Sequence, residues 1–171
     1  MMFTAIDPRE LGNAVRMIGD QWTLITAEKQ DGSINTMTAS WGFMGVLWNK
    51  PACVIFIRPQ RHTLGFVEEA DRLTLTFFDD RYRDALKLCG TKSGRDVDKI
   101  AATGLTPVHT ENGVPYFEEA STVLVCRKMY ADGIKPECFI DAAQDANNYP
   151  KKDYHRVFVC EIEQCLVRKA R

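Results

Sequence analysis

Apolar and polar positions alternate with a period of two along several short stretches of the chain, and few stretches keep a helical period for long. From Trp22 to Lys29 the β-branched and aromatic residues predict a strand. Gln30-Asp31-Gly32-Ser33 is a turn that folds it back onto a second strand, Ile34 to Trp41, so the pair reads as a hairpin. Ala52 to Ile57 is an unbroken apolar run introduced by Pro51, the pattern of a strand covered on both faces. Leu73 to Phe78 alternates for most of its length, as a half-buried strand does. Further on, the pattern predicts a strand from Ser121 to Tyr130, a turn at Asp132-Gly133 and a short partner from Lys135 to Ile140. A polar loop from Asp141 to Asp153 and a last strand from His155 to Val167 complete the chain.

Helical signals are shorter. Asp7 caps, and Pro8 opens, a helix expected to run to Ile18 and to end at Gly19-Asp20. Thr63 heads a stretch in which Leu64, Phe66, Val67 and Ala70 share a face. Arg81 to Cys89 is expected to be helical and stopped by Gly90. Asp96 is expected to cap a helix from Val97 to Thr103, with Gly104 ending it. Strands outnumber helices and hairpin turns join many of them. The expected fold is therefore mainly β within the α+β class, with antiparallel strands connected in a Greek-key-like way and short helices at the periphery. A closed or partly open barrel would remove most exposed strand edges.

Composition narrows the functional classes. The chain has 171 residues, 45% of them hydrophobic, enough for one core, so residues 1–171 are expected to form a single domain. Its 22 Lys and Arg nearly cancel its 23 Asp and Glu, for a formal charge of −1, and no net field draws it to nucleic acid. The absence of a long apolar run and of a basic-then-apolar start argues against a membrane span and a signal peptide. Six cysteines, with no C-x-x-C pair and no histidine at ligand spacing, argue against a metal site and for reduced, mostly buried thiols in a cytoplasmic protein.

Three segments carry candidate chemistry. In Asn35-Thr36-Met37-Thr38-Ala39-Ser40-Trp41, small and hydroxylated residues would let a flat ring approach the backbone, with Trp41 as an aromatic wall; the same pattern also suits an ordinary edge strand. Arg58-Pro59-Gln60-Arg61-His62-Thr63 closes an apolar strand and opens a helix, a place suited to a phosphate unless Thr63 only caps and both arginines are solvated. Gly90 to Asp96 offers two glycines, two hydroxyls and two cations in a potential anion-binding nest, yet lacks the G-x-x-x-x-G-K-[ST] spacing of a nucleoside-triphosphate site. His155, ahead of the last strand, is a candidate proton donor or a satisfied strand-edge residue. His62 and His109 carry no partner motif, so no hydrolase triad is indicated.

Taken together, these segments resemble the flavin reductase-like family with the FMN-binding split barrel, especially its flavoredoxin-like branch, over about Phe3 to Glu163. Asn35 to Trp41 is similar to the family's N-x-M-T-A-S-W segment, and Cys89 to Lys99 matches its C-G-x-x-S-G-R-D-V-D-K signature. The resemblance implies that Asn35, Met37, Thr38, Ala39, Ser40 and Trp41 contact a flavin ring. It implies further that Arg61, Thr63 and Lys92, with Arg58 and Ser93 beside them, hold the phosphate of FMN. His155 aligns with the histidine of a G-D-H motif, which makes it the candidate catalytic residue; here Tyr154 separates Asp153 from His155, no glycine precedes Asp153, and Cys160 replaces a later glycine. A homodimer with FMN near the interface is also implied. The expected activity is transfer of electrons from NAD(P)H through FMN to free flavin, oxygen or a partner protein. The alternatives are an FMN carrier reduced by a protein donor, and a β-barrel interaction module without flavin.

Overall fold

The computed structural model describes residues 3–169. Its first strand, β1 (Phe3–Ile6), leads into a 3₁₀ turn, Pro8–Glu10, held by a capping box between Asp7 and Glu10. The helix expected from Pro8 to Ile18 does not run through. Leu11 is extended, and Asn13 caps a second start, α1 (Ala14–Arg16), which passes into a π-helical turn, Met17–Gln21. The two-cap arrangement resets the helix because each cap satisfies its own unpaired N–H groups.

The hairpin of β2 (Thr23–Glu28) and β3 (Ile34–Ala39) forms as the pattern requires, with Ile25 opposite Met37. A strand not expected from the sequence follows, β4 (Gly42–Leu47), paired with β5 (Lys50–Ile57) through the two-residue turn Trp48-Asn49. Then come α2 (Thr63–Glu69), β6 (Arg72–Phe77), α3 (Arg83–Thr91) and α4 (Lys99–Thr103). Gly90 lies inside α3 instead of ending it, and the cap of α4 is Asp98 in place of Asp96, while Gly104 does end it in the left-handed conformation.

A small hairpin, β7 (Pro107–His109) with β8 (Pro115–Phe117), precedes β9 (Thr122–Gly133). The latter strand runs through the expected turn at Asp132-Gly133, so residues 135–140 do not form a partner strand; Pro136–Cys138 is a 3₁₀ turn. Part of the expected polar loop is α5 (Ala142–Asn148), capped by Asp141, and β10 (Arg156–Arg168) closes the chain.

Eight strands form one antiparallel sheet in the order β3-β2-β6-β9-β10-β5-β4, with β1 on the far half of β10. The mainly β, antiparallel expectation with peripheral helices holds. The sheet is open, however, because β3 and β4 end the hydrogen-bonded path and do not pair. Only Ser40 and Trp41 separate them in sequence, a span of at most about 11 Å, so the sheet must roll until its two edges nearly meet. The interior of the roll holds Ile25, Met37, Ile55, Leu75, Leu124, Phe158 and their neighbours, and a second cluster of Leu24, Leu86, Phe117 and Val123 packs α3 and β8 on the outside. Alternate residues of β2 and of the first part of β9 serve the two clusters, which is why β2 and Val123 to Cys126 of β9 are buried on both faces.

Candidate functional site

The open seam places β3 at an edge, so backbone N–H and C=O groups on its outer side have no ladder partner among the described residues. Beside that edge lies a cleft of about 300 Å³ lined by Met37, Thr38, Ala39, Ser40, Trp41, Phe56, Arg58, Arg61 and His155. A second cleft of about 190 Å³ is lined by Gln60, Arg61, His62, Thr63, Thr91, Lys92, Ser93 and Lys99. Arg61 lines both, so the clefts adjoin at this residue. The three segments singled out in the sequence are thus brought together, although they lie on β3, on the β5–α2 turn and at the end of α3 and beyond it.

The two clefts differ in chemistry. In the first, Trp41 stands half exposed with its ring centroid 5.4 Å from that of His155, and Phe56 meets His155 edge-on at 6.3 Å. His155 is 6% exposed and shares a 2.8 Å hydrogen bond between Nδ1 and the Tyr149 hydroxyl. Burial, and after it the nearby Arg58 guanidinium, pushes its pKa down to about 4, so the ring is neutral at physiological pH. Arg58 lies at this aromatic end and not beside Lys92 and Ser93. Its Nη1 donates to Asp153 at 2.7 Å, its Nη2 donates to the Asn148 carbonyl, and it stacks over Tyr149.

Among the described residues, no acidic side chain lines the second cleft. Arg61 donates from Nη1 to the Gly90 carbonyl at 2.6 Å and from Nη2 to the Cys89 carbonyl at 3.1 Å, so neutral backbone fixes it and its charge is not cancelled. Thr63 is buried, and its Oγ1 accepts from Asn35 Nδ2 at 3.1 Å. Asn35 therefore sits behind Thr63 and does not line the first cleft, whereas Thr38 ties β3 to α3 through a hydrogen bond to the Leu86 carbonyl. Lys92 and Ser93 stand at the mouth.

Sequence reasoning missed Phe56, Tyr149, Thr91 and Lys99. Phe56 is hidden in an apolar run and Tyr149 in a stretch read as loop, but Lys99 closes the signature already quoted and was legible there. Among the described residues, no group of acidic, cysteine or histidine side chains is arranged to hold a metal, no helix is long and apolar enough to cross a membrane, and all six cysteines are unpaired.

A cleft with one flat, aromatic-walled end and one cationic, hydroxyl-bearing end suits a planar ring linked to a phosphate. Comparisons with known proteins point the same way. The family model described as flavin reductase like domain matches residues 15–171. Curated proteins gave no match to the sequence. Among solved structures, the fold is similar to an FMN-binding domain of a flavin reductases-like enzyme from Shewanella baltica OS155, with a TM-score of 0.69, 15% identity, and 97% of this chain and 77% of that one covered. Flavoredoxin of Desulfovibrio vulgaris (Miyazaki F) superposes with a TM-score of 0.68 at 20% identity, covering 97% and 76%. Nitrilotriacetate monooxygenase component B from Bacillus cereus gives 0.69 at 16% identity, covering 97% and 82%.

Proposed function

The chain belongs to the flavin reductase like domain family, and from that premise we propose that it binds FMN in the joined clefts and passes electrons from NAD(P)H through it to an acceptor. The observation that carries this reading is the meeting of an aromatic, small-residue cleft with an acid-free cationic cleft at Arg61. FMN, when bound, supplies the hydride and electron chemistry.

The protein's residues bind and orient. Met37, Thr38, Ala39 and Ser40 present a thin strand edge to the ring, and Trp41 walls it. Arg61, Thr63, Lys92 and Ser93 hold the phosphate, with Asn35 fixing the Thr63 hydroxyl from behind. Arg58, engaged by Asp153, shapes the aromatic end and adds to the burial that keeps His155 neutral. His155 offers Nε2 as a hydrogen-bonding atom, because Tyr149 occupies Nδ1. No charged acid is needed at the reacting atoms, since donor and ring need only be brought close and aligned.

The same reading takes the whole chain as one domain and as half of a homodimer. Phe43, Val46 and Trp48 are 65%, 71% and 59% exposed on the edge strand β4, which pairs on one side with β5, and on its turn, beside the seam. Six unpaired thiols fit a reducing compartment such as the cytoplasm.

An absorption spectrum of the purified protein, followed by anaerobic addition of NADH and of NADPH, tests the function. A flavin spectrum that bleaches within seconds with either nucleotide is expected. A flavin that stays oxidised with both removes the reductase activity and leaves a carrier fed by a protein donor. A protein that takes up no FMN removes the reading altogether.

A further inference from the structure

Among the described residues Lys99 is the one lysine or arginine that is buried, at 4% exposure. It opens α4 yet turns inward, lining both the phosphate-side cleft and a third cleft that it shares with Arg95, Asp96 and Asp98. The hydrogen bond of its Nζ to the Cys89 carbonyl is long, at 3.4 Å, and an ammonium has three protons to donate. No carboxylate pairs with it among the described residues, and Asp98 accepts the Ala101 N–H at Oδ1. The groups facing it are the Arg61 guanidinium, the buried Cys89 thiol and, further off, His62. Two desolvated cations therefore share one cleft with no acidic lining among the described residues, an arrangement relieved by a bound anion or by loss of the lysine's proton.

We propose that Lys99 is a ligand of the FMN phosphate at the floor of this cleft, and that filling the cleft is coupled to the charge of this one lysine. The inference rests on the FMN reading above. In the flavin-free protein, burial, opposed by Cys89 and assisted by Arg61, brings the Lys99 ammonium down to about 8. A phosphate monoester, whose second ionisation lies near 6, is a dianion at pH 8 and needs no proton of its own. Placed beside Lys99 it favours the ammonium, so binding draws a proton from solution onto Nζ.

Calorimetric titration of the flavin-free full-length protein at pH 8, in buffers of different ionisation enthalpy, reads this directly. FMN should bind with uptake of about half a proton, the fraction of Lys99 that is neutral at that pH, and riboflavin with none. Lys99→Met should abolish the uptake and weaken FMN at least tenfold while leaving riboflavin affinity unchanged. Lys99→Arg, which stays charged, should also abolish uptake yet keep FMN affinity within a few-fold. Lys92→Met should weaken FMN and keep the uptake, because Lys92 stands exposed at the mouth. Uptake that persists in Lys99→Arg, or equal uptake with riboflavin, overturns the proposal while FMN binding stands. If neither flavin binds, both readings fall.

Discussion

His155 illustrates what burial does to one side chain. It stands at 6% exposure among Trp41, Phe56 and Tyr149, with the Arg58 guanidinium nearby, and titrates in the fold at about 4 against about 6.5 in an unfolded chain. Between those values the unfolded chain binds more protons, so stability present above pH 6.5 is lost as pH falls toward 4. The difference amounts to at most about 3 kcal/mol. Chemical denaturation at pH 7 and pH 4.5 should show that loss, and His155→Phe should show much less of it. Thr63 and Lys92 separate two roles in a similar way. Lys92→Ala should weaken FMN by roughly tenfold or more, about 1.5–3 kcal/mol, with the melting temperature unchanged, because an exposed cation loses only its ligand contact. Thr63→Ala removes the same kind of contact and also leaves the buried Asn35 amide without its acceptor, so it should additionally cost about 1–3 kcal/mol of folding stability. Equal melting temperatures for the two variants would show that the Asn35–Thr63 hydrogen bond does not support the fold.

Two glycines set how closely elements approach at the seam and behind the site. A Cβ on Gly42 would stand 2.9 Å from the Val54 carbonyl oxygen across the β4–β5 pair, and one on Gly94 would stand 2.5 Å from Asn35 Oδ1. Gly94→Ala should therefore push Asn35 off Thr63 and lower FMN affinity, whereas Gly42→Ala should destabilise the fold first, since its clash is with backbone; paired melting and FMN titrations distinguish the two. The elements themselves were unequally legible in the sequence. Strand periodicity marked β2, β3, β5, β6 and β10, and the Thr63 face marked α2, because each buries a face of regular period. Strand β4 escaped notice because large apolar side chains stand exposed on both of its faces, Phe43 on one and Val46 on the other, which erases the apolar–polar contrast that betrays an edge strand. Gly90 misled because a helix tolerates glycine where Thr38 packs against it at 3.4 Å from a built Cβ, and α5 escaped because its residues are exposed or only partly buried and give no apolar stripe. Local motifs marked most of the site, since chemistry-bearing residues cluster in sequence. Phe56 and Tyr149 were not marked, because only the rolled sheet and the packing of Phe139, Tyr149 and Tyr154 bring them to His155.

For the molecule as a whole, the roll leaves one unpaired edge pair, and the protein surrounds it with apolar surface. Phe43, Val46 and Trp48 project from β4 and its turn, and Trp41 stands half exposed at the seam. At the turn, Trp48 and Asn49 hold positive φ values of 51° and 59°. This conformation suits a two-residue hairpin but strains a bulky residue, where Asn-Gly would be relaxed. Large side chains exposed at this density are tolerated in a soluble protein when something covers them, and a strained tryptophan is kept when its ring is used. A second copy meeting this face would cover it without any new partner, in keeping with the homodimer proposed above. Replacing Phe43 and Val46 together with Lys adds charge to exposed positions and removes the edge-on contact of Phe43 with Phe56 but no member of the two interior clusters, so the fold should survive. Light scattering at micromolar concentration should then report a dimer for the native chain and a monomer for the double variant. FMN affinity of that variant should fall with dimerisation if the covered face reaches Trp41, and a variant that stays dimeric with native affinity would place the interface elsewhere.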